Sequence, residues 1–145
     1  MATTADLLTG VPLLSGLSQR QLKKLARDFK ERQIRSGTTV VRQGEMSGVG
    51  FFIMVEGEAA VSVDGTEVAR LGPGDHFGEL ALVSKRVRTA TVTAVTDVRC
   101  LVIAFWDFRN FVEGNPDVAW KLLEHLVGVL GEERERRAKA ALAAS

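Results

Sequence analysis

The stretch Phe51–Leu71, FFIMVEGEAAVSVDGTEVARL, decides the fold class. It divides into three short runs, Phe51–Val55, Ala59–Val63 and Thr66–Leu71, separated by Gly57 and by Asp64-Gly65. Asp-Gly is a preferred two-residue hairpin turn, because both residues tolerate the positive φ angles that a type I′ turn requires. Strands joined this tightly pair antiparallel with their sequence neighbours; a βαβ crossover would need about a dozen residues or more between them.

Moving outward, Thr38–Arg42 is a further strand-like run ahead of Gly44, and Thr89–Ala94 and Val98–Ile103 follow. Many short strands with turn signals predict an antiparallel sandwich or barrel. Upstream, Ser18 and Gln21 stand in capping-box spacing before Leu22, Leu25, Ala26 and Phe29, which predicts an amphipathic helix from about Ser18 to Phe29. Downstream, Asn115-Pro116 supplies an N-cap and a proline at the first helical position. Val118, Leu122, Leu126, Val129 and Leu130, with Leu123 and Val127, then form an apolar stripe. Gly128 and Gly131 interrupt it as weak points, each costing about 1 kcal/mol of helix propensity. Glu132/Arg136 and Glu133/Arg137 are i,i+4 pairs that read as a solvated helix end. The expectation is one domain over residues 1–145, mainly β with flanking helices: an N-terminal helical part at about 1–33, a β part at about 34–104 and C-terminal helices at about 105–140.

Composition excludes several classes of function. The 145 residues are 46% apolar and 26% charged, as in ordinary globular proteins, and far from the disordered range. A net charge of +1 gives no general attraction to nucleic acid or an anionic membrane. The single cysteine, Cys100, lies in an apolar strand and reads as a buried, inert thiol. The N-terminal MATTADLLTGVP has no basic region ahead of an apolar core, so it is not read as a signal peptide. No apolar run approaches the ~20 residues of a membrane span, and a cytoplasmic location is expected. His76 and His125 are far apart, and Ser62 and Ser84 have no histidine-plus-acid arrangement, so neither a metal site nor catalytic residues are expected. Trp106 and Trp120 read as packing residues of the C-terminal helices.

The chemistry concentrates in Leu71–Val92, LGPGDHFGELALVSKRVRTATV. Gly72-Pro73-Gly74 is a tight turn, Phe77 anchors the next segment, and Gly78 lets the backbone approach whatever lies above it. A short helix starting near Gly78 would offer free backbone N–H groups to an anion, and Glu79 could equally complement that helix dipole. Counting by two from Arg88 gives Ala90, Val92 and Ala94, so Arg88 faces the core while Thr89, Thr91 and Thr93 face out. A buried arginine needs a partner. Either Glu79 pairs with Arg88 structurally, or Arg88 grips a ligand phosphate with its bidentate fork and Glu79 faces a hydroxyl. Lys85 and Arg86 read as a solvated loop tip.

Phe77-Gly78-Glu79-Leu80-Ala81, then Arg88-Thr89-Ala90 after a short loop, closely resembles the phosphate-binding cassette of cyclic nucleotide-binding domains. Such domains occur in the catabolite activator protein, in cAMP-dependent kinase regulatory subunits and in cyclic nucleotide-gated channels. Gly44, Gly57 and Gly74 match the family's structural glycines, and the resemblance extends over roughly Val11–Arg137. It implies an eight-stranded antiparallel β-roll of the jelly-roll type. It further implies a site of Gly78, Glu79, Leu80, Ala81, Arg88, Thr89 and Ala90, in which Arg88 pairs with the cyclic phosphate and Glu79 accepts the ribose 2′-hydroxyl. The ligand would be cAMP more than cGMP, with no other cofactor. Leu130 and Arg134 are the candidates for a lid on the C-terminal helix. Implied partners are an effector protein or domain and a second copy through that helix, with no nucleic acid or membrane. Two alternatives stay open: a fragment of a catabolite-activator-type transcription regulator, since only eight residues follow Arg137, and a degenerate protein-interaction domain.

Overall fold

A computed structural model describes residues 3–45, 50–78, 82 and 87–144. Among these residues eight strands form two four-stranded sheets, both antiparallel. In chain order they are β1 (Lys30–Ile34), β2 (Thr39–Val41), β3 (Phe51–Glu56), β4 (Ala59–Val63), β5 (Thr66–Leu71), β6 (His76–Phe77), β7 (Thr91–Ala94) and β8 (Val98–Ile103). One sheet runs β1-β8-β3-β6 and the other β2-β7-β4-β5. The β4–β5 turn has Asp64 at φ 52° and Gly65 at φ 80°, the positive pair a type I′ hairpin requires.

The apolar run of β3 is continuous because both of its faces are covered. Phe52 and Met54 point between the sheets, where they join Val92, Ala94, Val98 and Cys100. Phe51 and Ile53 point outward and pack with Leu8, Leu22, Leu25, Phe108 and Val118 beneath the helices. Strand β8 divides in the same way, with Cys100 and Val102 inside and Ile103 under the helices. This two-residue period on two buried faces produces one core inside the roll and a second beside it.

Helix α1 (Thr4–Leu8) and a 3-10 turn at Pro12–Leu14 precede α2 (Gln19–Ala26), which carries the expected capping box between Ser18 and Gln21. Leu22 and Leu25 of α2 are buried. Strand β1 begins inside the stretch read as the N-terminal helical part. Its alternation is invisible in the sequence because KERQ is exposed and only Ile34 is buried. Helices α3 (Phe105–Gly114) and α4 (Pro116–Ala144) close the chain. The Asn115 side chain serves α3, its Nδ2 donating to the Phe111 carbonyl at 2.9 Å.

Three expectations about the last helices change. α4 runs unbroken for 29 residues through Gly128 and Gly131, since helix propensity costs of ~1 kcal/mol each do not break a long helix. Trp106 and Trp120 are not packing residues; they are 59% and 70% exposed. Leu123, Val127 and Leu130 also face solvent. Only the first turns of α4, through Val118 and Leu122, are buried.

Candidate functional site

Arg88 is built into the wall of the roll by its own main chain. Its N–H donates to the Glu45 carbonyl at 2.9 Å, and its carbonyl accepts from Gly44 N–H at 2.8 Å. The side chain is 8% exposed, and Nη2 donates to the Gly50 carbonyl at 3.0 Å. Burial pulls the guanidinium below its usual pKa range, yet a guanidinium stays charged at neutral pH. Among the described residues no buried side-chain nitrogen or oxygen lacks a partner.

Gly78 explains how so large a group fits. It sits at φ +86°, and a Cβ there would lie 2.7 Å from Arg88 Nη1 and 2.7 Å from the Gly50 carbonyl oxygen. Glycine is needed both for the left-handed backbone and for the space the guanidinium occupies. Gly50 is as tightly placed: at φ +108°, its Cβ would lie 2.2 Å from the Ile103 carbonyl oxygen. The guanidinium, Gly78 and Gly50 thus interlock against the end of β8.

Arg88 opens onto a cavity of about 300 Å³ between the sheets. Val41, Val61, Leu71, Phe77 and Val92 form its apolar wall, and Gly78, Arg88, Thr89 and Ala90 its polar end, with His76 also on the lining. The Phe77 ring stacks on Phe52 with centroids 4.7 Å apart, which fixes the wall. One charged group at the end of a concave apolar chamber is the arrangement of a small-molecule site. Its chemistry suits an anion joined to a flat apolar body.

Of the residues read from sequence, Gly78, Arg88, Thr89 and Ala90 come together on this cavity. Glu79, Leu80 and Ala81, with Lys85 and Arg86, lie outside the described residues. Thr89 is exposed, and Thr89-Ala90 form a bend ahead of β7, the irregular backbone needed for Thr89 to reach the site. Leu130 and Arg134 are exposed on α4 and do not line the cavity. Strand parity carries the signal for the apolar wall: Val61 shares its face with buried Ala59, and Val92 with buried Ala94.

Fold and site define a β-roll with a buried arginine at the end of an apolar cavity. The chain belongs to the cyclic nucleotide-binding domain family, whose model matches residues 31–115. It is 35% identical over 114 residues to a cyclic nucleotide-gated potassium channel of Mesorhizobium japonicum, covering 79% of this chain and 31% of the channel. It is 42% identical over 95 residues to the cAMP-dependent protein kinase regulatory subunit of Schizosaccharomyces pombe, covering 65% of this chain and 23% of that subunit. The chain therefore spans less than a third of either relative's length. Among solved structures, the N-terminal domain of a transcriptional regulator from Streptomyces coelicolor superposes with a TM-score of 0.81 at 27% identity, covering 91% of this chain and 95% of that one. The cAMP-bound PfPKA-R superposes with a TM-score of 0.64 at 27% identity, covering 88% and 45% respectively.

Proposed function

We propose that the chain senses a cyclic nucleotide, binding its phosphate at Arg88 and its base against the apolar wall. The carrying observation is a buried arginine, locked in place by Gly78 and Gly50, at the end of an apolar cavity. Glu79, by the family pattern, takes the ribose 2′-hydroxyl, and backbone N–H groups of Leu80 and Ala81 join the phosphate contacts. Similarity to the cAMP-bound PfPKA-R supports cAMP as the ligand. The apolar wall supports it too, because guanine's additional polar groups would need partners there. Thr89 at the polar end gives cGMP a second, weaker mode through its hydroxyl. The domain works as a binding module in the cytoplasm and performs no chemistry on the nucleotide.

α4 is the output. Its first turns are tied to the N-terminal helices: Gln21 Nε2 donates to Asp117 Oδ2 at 2.5 Å, and Lys121 Nζ donates to Gln21 Oε1 at 2.8 Å. Leu130 and Arg134, exposed on α4 beyond those turns, serve as the lid when the helix moves over the nucleotide. Trp120, Leu123, Val127 and Leu130 recur at spacings of three and four and are all exposed. That stripe suits a second copy of the chain packed along α4.

Calorimetric titration of the purified protein with cAMP and cGMP tests the reading. Micromolar or tighter binding of cAMP is expected, with cGMP weaker. Arg88→Ala, which removes a charge-assisted contact of about 3–5 kcal/mol, should weaken binding roughly a hundredfold or more. Lys85→Ala should change it little. Equal losses for the two variants would refute the assignment to Arg88.

A further inference from the structure

The main chain of Arg88 is bonded on both sides to residues 44–45, so the direction of its side chain depends on where that turn lies. The turn is itself anchored through Gln43. Gln43 N–H donates to Thr91 Oγ1 at 3.0 Å, which ties it to β7. Its side-chain amide then spans to the tip of the β4–β5 hairpin: Nε2 donates to Asp64 Oδ1 at 2.9 Å, and Oε1 accepts from Asp64 N–H at 2.8 Å. Both hydrogen-bonding groups of one amide are thus spent on one turn residue, and Asp64 is the only non-glycine residue with positive φ among those described.

Gln43 does not line the cavity, and the pair is exposed. A two-bond link at the surface contributes little to global stability. Its consequence is geometric: it joins the hairpin beside the cavity wall, which carries Val61 and Leu71, to the turn that holds Arg88. We propose that Gln43, held by Asp64, is a positioning residue that sets Arg88 for the ligand phosphate. The inference rests on the reading of Arg88 as the phosphate-binding group.

Two measurements test it. In titrations of the whole chain with cAMP, Gln43→Ala should weaken binding about five- to tenfold, the scale of one or two hydrogen bonds. Its thermal midpoint should stay within about 3 °C of the wild type. Gln43→Glu should also weaken binding, because two carboxylates then face each other, and adding Asp64→Asn should restore it by supplying a donor. In an Arg88→Lys background, Gln43→Ala should cost less than about twofold, since the group being positioned has changed. Without ligand, the Arg88 Nε–Hε signal in the nitrogen–proton NMR spectrum should shift or broaden in Gln43→Ala. An unmoved signal, or the same fold-loss in both backgrounds, overturns the inference. Wild-type binding that falls with Arg88→Lys but not with Gln43→Ala overturns it while leaving the proposed function intact. Absence of cAMP binding by the wild type overturns the proposed function first.

Discussion

Replacing Gly78 by alanine separates the cost of backbone strain from the loss of the site. Gly74 and Gly78 have nearly the same positive φ, +90° and +86°. An alanine at either position adopts a left-handed conformation at a cost of about 1–2 kcal/mol. At Gly74 the new Cβ meets nothing within 4 Å, so strain is the whole effect. At Gly78 it lies 2.7 Å from two atoms, where ordinary contact begins at 3.4 Å. The Gly50 carbonyl belongs to main chain packed against Ile103 and cannot retreat, so the Arg88 guanidinium must move. Displacing the guanidinium from a charge-assisted contact worth about 1.5–3 kcal/mol costs on the order of tenfold to a hundredfold in affinity. The two variants share the strain cost in chemical denaturation, and Gly78→Ala should lose more, because the clash with the Gly50 carbonyl adds to it. In calorimetry with cAMP, Gly74→Ala should bind within about threefold of wild type, and Gly78→Ala about tenfold to a hundredfold more weakly. Equal affinities of the two variants would show that the guanidinium does not depend on the space above Gly78.

Three further outcomes follow from burial and charge. Burial pushes the Cys100 thiol above its usual pKa, so it should resist alkylation in native protein and react only at the rate of opening, read by mass spectrometry across a denaturant series. The Asp28 carboxyl is raised by burial and by the nearby Asp107. A raised carboxyl favours the native state fully below its unfolded pKa and loses that contribution as pH rises through its folded value, so Asp28→Asn should raise the melting temperature modestly at pH 7 and not at pH 3. Leu123→Lys together with Val127→Lys should leave cAMP affinity unchanged and shift sedimentation toward the single chain; an unchanged sedimentation profile would remove α4 as the self-association surface.

The antiparallel strands were legible because their signals are local. The Asp64-Gly65 turn and the period-two runs beside it depend on nothing distant, and Ala59–Val63, Thr66–Leu71 and Val98–Ile103 appear with the boundaries read. β1 was hidden because one buried residue in five leaves no alternation to read. The inward direction of Arg88 was also legible by parity from Val92 and Ala94, although regular strand begins only at Thr91. Its main-chain grip by Gly44 and Glu45 was not, since these bonds join residues more than forty positions apart. Nor was the exposure of Trp120, because an apolar stripe reads the same whether the protein covers it or a partner does.

The most direct test of the account is the crystal structure of the chain grown with cAMP. The cyclic phosphate should lie within hydrogen-bond distance of the Arg88 guanidinium and the adenine against Val41, Val61 and Leu71, with Gly78 still at positive φ. A nucleotide bound elsewhere, or one in this cavity whose phosphate makes no contact with Arg88, would contradict it.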